Sequence, residues 1–397
     1  MSLNDTPRAN RLHIAIFGRR NSGKSSLINA ITNQNTAIVS DVAGTTADPV
    51  YKSMEIHGIG PVVFIDTAGF DDVGKLGTMR VEKTKRVTEK TDIAIVVYCG
   101  EDIEDEISWT NELRRKKIPV ICVVNKCDIL KNVDKICENI NRNCKINPIV
   151  VSAKNKSGIE KIREEIIRVL PEDFEAKSIT GKLAKDGDVV LLVMPQDIQA
   201  PKGRLILPQV QTIRELLDKK CIVISATTDK LDSALKSLSK PPQLIITDSQ
   251  VFKTVYEKKP KESLLTSFSV LFANYKGDLN YFVKSAKTIQ NLNENSKVLI
   301  SEACTHAPLA EDIGREKIPK MLRNKFGENL TVDIVSGTDF PNDLSEYDLI
   351  IHCGACMFNR KYVLSRIEQA RSQGVPMTNY GVAIAYLQGI LDKIDLF

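Results

Sequence analysis

Two groups of residues in this chain have types and spacings suited to chemistry. Toward the C-terminus stand Cys304-Thr305-His306 and His352-Cys353-Gly354-Ala355-Cys356, which together hold three of the nine cysteines and two of the four histidines. Cys-x-x-Cys sets two thiolates within reach of one metal centre, and a distant Cys-x-His can close the ring once the chain folds. Near the N-terminus, Gly18-Arg-Arg-Asn-Ser-Gly23-Lys24-Ser25 fits the phosphate-loop pattern G-x-x-x-x-G-K-S/T. Backbone N–H groups of such a loop cradle phosphates, Lys24 reaches the β and γ oxygens, and Ser25 ligates Mg²⁺.

Three further elements follow the phosphate loop in order. Asp66-Thr-Ala-Gly69 supplies a carboxylate for the metal side and a glycine amide for the γ-phosphate. Asn125-Lys126-Cys127-Asp128 brings a carboxylate, Asp128, suited to the two N–H donors of a guanine edge. Ser152-Ala153-Lys154 falls next to where the base would lie. With Ser22 and Ser26 of the loop and the helix after it, these elements compose a site for GTP and Mg²⁺, with Lys24, Asp66 and Gly69 in the catalytic positions. Phe70-Asp71-Asp72 stands where a water-orienting glutamine would follow Gly69, so slow basal hydrolysis is expected.

The cysteine–histidine set admits three readings: a closed zinc site, an iron–sulfur cluster held by three thiolates, or chance. Zinc usually staples a small unit that lacks a core of its own. This segment reads as having its own sheet and helices, which favours Cys304, Cys353 and Cys356 holding a cluster with one exchangeable iron ligand. Glu302, His306, His352 or solvent could complete it. Asn379 and Tyr380 read first as the cap of the last helix.

Positioning these residues falls to alternating strands and helices, hence an α/β fold in three parts. Residues 1–171 read as a Rossmann-like phosphate-loop domain with strands Leu12–Phe17, Val62–Asp66, Ile93–Tyr98, Val120–Asn125 and Ile149–Ser152. Residues 172–265 read as an α/β assembly module with strands Val189–Met194, Ile222–Ser225 and Leu244–Thr247. Residues 266–397 read as an α/β metal-binding domain, with a helical lead-in Leu271–Leu292 and strands Val298–Ser301, Val332–Val335, Leu349–His352 and Val375–Thr378. Cys304 and Cys353 each follow a strand, and strand C-termini in an open parallel sheet share the edge where ligands bind.

The net charge of +5 is small for 397 residues and argues against a dedicated nucleic-acid surface. The run Arg114–Lys117 suits the end of a helix better than a basic patch. No apolar leader or 18-residue apolar stretch appears, so a cytoplasmic protein without a membrane span is expected. In that reducing setting nine cysteines are not a disulfide framework, and the six outside the cluster read as packing residues.

Residues 12–170 resemble the K⁺-dependent tRNA-modifying and ribosome-assembly GTPases, through Asn21 and Ser40-Asp-Val-Ala-Gly-Thr45-Thr46. The resemblance implies that Asn21, the carbonyls of Ser40 and Val42, and Thr45 hold K⁺, while Thr46 joins the Mg²⁺ ligands and the catalytic set. The plainer reading of Asn21 is a turn residue. Over essentially its whole length the chain resembles the [FeFe]-hydrogenase maturation GTPase family, by domain order, the C-x-H…H-C-x-x-C set and the stretch Gly374–Tyr386. That resemblance implies a scaffold carrying a [4Fe–4S] cluster and a diiron subcluster precursor. It implies apo-[FeFe]-hydrogenase and radical-SAM maturation enzymes as partners, and a homodimer formed through the middle domain. The competing reading is an RNA- or ribosome-directed K⁺-dependent GTPase with a structural zinc site.

Overall fold

The computed structural model describes residues 10–32, 49–56, 59–69, 84–171, 178–195, 205–303, 312–355 and 358–395. The chain forms two compact units, residues 1–176 and 177–397.

In the first unit six strands lie in the order β2-β3-β1-β4-β5-β6. They are β1 (Leu12–Phe17), β2 (Val50–Ile56), β3 (Gly60–Asp66), β4 (Ile93–Tyr98), β5 (Val120–Val124) and β6 (Ile149–Val150). The central strands are near-continuous apolar runs because both of their faces are covered. Leu12, Ile14 and Ile16 enter one core and Ala15 and Phe17 the other. β2 was not legible in the sequence. It is an antiparallel edge strand with only Lys52 and Ile56 buried, so it lacks the apolar alternation that marks a strand. The run Arg114–Lys117 closes the helix Glu104–Arg115, as expected.

The second unit contains two parallel sheets, β10-β9-β7-β8 and β12-β11-β13-β14. The first comprises β7 (Val189–Val193), β8 (Ile222–Ala226), β9 (Leu244–Thr247) and β10 (Leu264–Ser267). The second comprises β11 (Lys297–Glu302), β12 (Thr331–Ser336), β13 (Leu349–His352) and β14 (Met377–Asn379). One core runs through both, joining Leu191 and Ile245 to Ile300 and Ile350. β10 carries the first sheet past residue 265, and the chain end returns to it. Leu265 N–H donates to the Asp395 carboxylate at 2.7 Å, and Asp395 N–H to the Leu265 carbonyl at 2.9 Å.

The helical lead-in expected over Leu271–Leu292 is two helices, Phe268–Lys276 and Leu279–Ala286. Asp278 caps the second by accepting from Tyr281 N–H at 3.0 Å, which offers the backbone an alternative to continuing the first. The last helix, Tyr380–Leu387, ends before Gly389, whose φ is +69°. In the second sheet Ser301 pairs with His352, His352 with Asn379, and Glu302 with Ser336. These strand ends therefore share one edge.

Candidate functional site

The phosphate loop joins β1 to the helix Lys24–Thr32. Gly23 holds φ +90°, and a Cβ there would lie 2.4 Å from Asn125 Nδ2, so the position admits only glycine. Lys24 is buried and folds back on the loop, its Nζ donating to the carbonyls of Gly18 at 2.9 Å and Arg19 at 2.8 Å. Ser25 Oγ donates to Asp66 Oδ2 at 2.5 Å, which brings two hard oxygen donors to one point. Burial pushes the Asp66 carboxyl up, while Ser25, Lys24 and Lys52 act against that shift. Those oxygens suit Mg²⁺, which takes few protein ligands and keeps much of its water.

Asn125 ties the guanine elements to this loop. Its Nδ2 donates to the Ser22 carbonyl at 3.0 Å, and its Oδ1 accepts from Ala153 N–H at 3.1 Å. Lys126 Nζ reaches the Asn21 carbonyl at 2.7 Å. Ser152 Oγ donates to Asp128 at 2.6 Å, and that bond holds the exposed carboxyl below its ordinary range. Asp128 is therefore an ionised acceptor at the sheet edge. Asn21 has φ +59°, a backbone asparagine tolerates, so the turn requirement alone accounts for its type. Ser26 lies in the first turn of the helix and Lys154 in the turn after Ser152, both described; Ser40, Val42, Thr45 and Thr46 lie outside the described residues.

A feature not read from the sequence sits beneath the loop. Arg19 lies 3.0 Å from Asp102, 3.1 Å from Asp105 and 3.2 Å from Glu106. Glu106 is fully buried, yet no aligned hydrogen bond from the described residues reaches either of its side-chain oxygens. Burial outweighs the guanidinium and pushes the carboxyl up to about 7. Between its ordinary 4.5 and about 7 the folded state holds a proton that the unfolded chain has released. The associated stability is thus complete below 4.5 and lost as pH rises through 7. In thermal melts of the full chain across that window, Glu106→Gln should flatten the decline. An unchanged slope rejects this assignment.

At the shared edge of the second sheet, Cys353 follows β13. Its Sγ accepts from Ala303 N–H at 2.9 Å and from Ala355 N–H at 3.4 Å. Two backbone donors aimed at one sulfur suit a thiolate. His352 faces the other way. It is buried, its Nδ1 bonds the Cys353 carbonyl at 2.8 Å, and Arg366 Nη1 donates to its Nε2 at 2.9 Å. Burial, then the Arg366 charge, lowers its pKa to about 3, so the ring is neutral and its one lone pair is engaged. Glu302 Oε2 accepts from Arg315 at 3.0 and 3.2 Å and from Ser336 Oγ at 3.1 Å. Asn379 caps the last helix, accepting from Val382 N–H at 3.0 Å. Cys304, His306 and Cys356 lie outside the described residues, and among the described residues no three metal-binding side chains converge.

Arg366 is the residue the sequence reading missed. It is 1% exposed, and its bonds go to neutral groups: Ser301 Oγ at 3.0 Å, His352, the Gly337 carbonyl at 2.6 Å and Tyr362 Oη at 3.3 Å. The rings of Phe340, Phe358 and Tyr362 surround it at 4.6–4.8 Å. Each such ring contact contributes about 0.5–2 kcal/mol, whereas burying an ion costs several kcal/mol. A signal was available. Tyr362, Val363, Arg366, Ile367 and Ala370 form the buried stripe of the helix Arg360–Ser372, so an arginine stands where the period demands an apolar residue.

Residues 13–126 match the family model of a 50S ribosome-binding GTPase. Residues 179–277 match the hydrogen maturase F dimerization domain, and residues 280–394 the hydrogen maturase F tetramerization domain. The chain belongs to the hydrogen maturase F family. Its first unit is a GTPase domain, and both domains of the second carry names denoting self-association, where the sequence reading anticipated only a dimer through the middle one. GTPase Der of Wolinella succinogenes matches at 37% identity over 186 residues, 44% of this chain and 39% of that protein. The tRNA modification GTPase MnmE of Flavobacterium johnsoniae matches at 35% over 173 residues, 40% of this chain and 35% of that protein. The chain thus spans well under half the length of these curated relatives. A crystal structure of an Aquifex aeolicus Era variant bound to GDP and AlF₄⁻ aligns with 57% of this chain and 98% of that one, at 20% identity and a TM-score of 0.36. No described helix is long and apolar enough to cross a membrane.

Proposed function

We propose that this chain is a GTP-hydrolysing scaffold that carries a [4Fe–4S] cluster and a diiron subcluster precursor. The precursor is cargo, received from radical-SAM maturation enzymes and delivered to apo-[FeFe]-hydrogenase. One observation carries the reading: Cys353 Sγ, at a parallel-sheet edge, collects two backbone N–H groups within a segment that matches the hydrogen maturase F family. Cys304 and Cys356 complete the thiolate set. A cluster held by three thiolates supplies one iron with an exchangeable ligand position. His352, its lone pair engaged by Arg366, stands behind Cys353 as an orienting group, leaving Cys304, Cys353 and Cys356 as the ligands. Anaerobically prepared protein should contain iron and sulfide with a thiolate-to-iron optical band. Stoichiometric zinc in their place overturns the reading.

On the GTPase side, Lys24 leaves the carbonyls of Gly18 and Arg19 for the β and γ phosphates. Ser25, Thr46 and Asp66 take the Mg²⁺ side, Gly69 the γ-phosphate, and Asn125, Lys126 and Asp128 the guanine, with Ser152, Ala153 and Lys154 beside it. Asp128 at the base edge should enforce GTP over ATP, because a mismatched base leaves the carboxylate facing no donor. Asp128→Asn should move the preference toward xanthine nucleotides, and equal turnover of ATP and GTP by the wild type rejects the assignment. Asn21, with Ser40, Val42 and Thr45, holds K⁺, a cation that neutralises charge developing at the β–γ bridge. Hydrolysis should run faster in KCl than in NaCl at equal ionic strength, and Asn21→Ala should erase the difference. Equal wild-type rates in the two salts dispose of the K⁺ site.

A further inference from the structure

Arg366 is a permanent cation held out of water, and no carboxylate among the described residues pairs with it. An arginine normally enters a protein interior opposite an acidic group. Here the guanidinium meets a hydroxyl, a neutral imidazole, a carbonyl and three aromatic rings. Among the described residues the fold has therefore brought a positive charge into its interior without supplying the negative one.

Its position indicates where that negative charge belongs. Nη1 bonds Ser301 at the end of β11 and His352 at the end of β13, two residues paired across the sheet. The next step outward from His352 is Cys353, whose carbonyl receives the other imidazole nitrogen. Cys353 Sγ in turn faces N–H donors from both strand ends, at Ala303 and Ala355. The cation thus lies one side chain behind a sulfur whose surroundings are built for negative charge.

We infer that Arg366 is the buried counter-charge for the anionic iron–sulfur group bound through Cys353, and that it raises that group's reduction potential by stabilising the more negative, reduced form. The inference rests on the scaffold reading above. Arg366 acts through His352 and Ser301, so it is a positioning residue. Its aromatic surroundings keep water from screening the charge, which lets it act across the intervening imidazole. His352 has a defined duty in this arrangement: it accepts from the cation and donates toward the Cys353 carbonyl.

The test is a redox titration of reconstituted full-length protein, reduced stepwise by dithionite through one electron per cluster and followed by electron paramagnetic resonance. Arg366→Gln should lower the midpoint potential, and Arg366→Lys, which keeps the charge but not the planar fork, should restore most of it. Should Arg366→Gln not fold, Arg366→Met carries the same measurement, since its apolar stem packs among the same three rings. Heat stability gives a second readout. The rise in melting temperature on cluster loading should be smaller in the neutral variant than in the wild type. A full complement of iron and sulfide with an unchanged potential in the neutral variant overturns this inference alone. Absence of iron and sulfide from the wild type overturns the scaffold reading, and this inference with it.

Discussion

Lys24→Ala should abolish measurable GTP hydrolysis while leaving iron and sulfide content untouched. The Lys24 ammonium is held by two loop carbonyls, and the same flexible stem can bring it onto the β and γ phosphates. Removing a preorganised charge from a buried phosphoryl-transfer site lowers kcat by about a hundred- to a thousand-fold. Affinity for GTP should also fall, because the variant lacks the cation that holds the β and γ phosphates. Cys353 belongs to the other compact unit, so cluster retention is the matching expectation. A Lys24→Ala protein that keeps its circular dichroism but loses its iron would show that the two jobs are not separable. Retained hydrolysis would remove Lys24 from the machinery.

Cys353→Ser should lose most of the iron and sulfide and fail to mature apo-[FeFe]-hydrogenase. A serine oxygen is a poor ligand for iron in a soft sulfur environment, and two remaining thiolates cannot anchor a cluster that normally has three. The fold should survive, since the hydroxyl can still accept from Ala303 and Ala355 N–H, which reach the sulfur in the wild type. His352→Gln gives the contrast. It offers Arg366 an oxygen in place of Nε2, so iron content should persist while the cluster's magnetic spectrum changes. Full iron in Cys353→Ser would discard the cysteine set, whereas iron loss in His352→Gln equal to that in Cys353→Ser would return the histidine to the ligand shell.

Much of the architecture was legible because parallel strands buried on both faces leave apolar runs, and all five strands read in the first unit are present, with small differences at their ends. What escaped were elements whose signal is not apolar. β2 exposes most of its side chains, and the break at Gly277 and Asp278 depends on one aspartate preferring to cap a new helix. Glu302, weighed as a cluster ligand because it precedes Cys304 so closely, has one oxygen held by Arg315 and Ser336. Neither of those residues is near it in sequence.

The phosphate loop and the three elements after it are contiguous motifs. Their backbone demands, glycine at Gly23 and a strand before each turn, are met by neighbours in the chain, so sequence alone determined that this unit is a GTPase domain and that these motifs stand at strand ends. Tertiary structure decided which donors at the other site have lone pairs to give. His352 and Cys353 are adjacent in sequence, but successive side chains at a strand end face opposite sides of the sheet. One side is packed by the helix that carries Arg366, and the other leaves Cys353 facing the ends of two strands. That division depends on a helix whose arginine lies 14 residues beyond His352, and only the packing of that helix against the sheet turns the histidine inward and leaves the cysteine facing two backbone N–H groups.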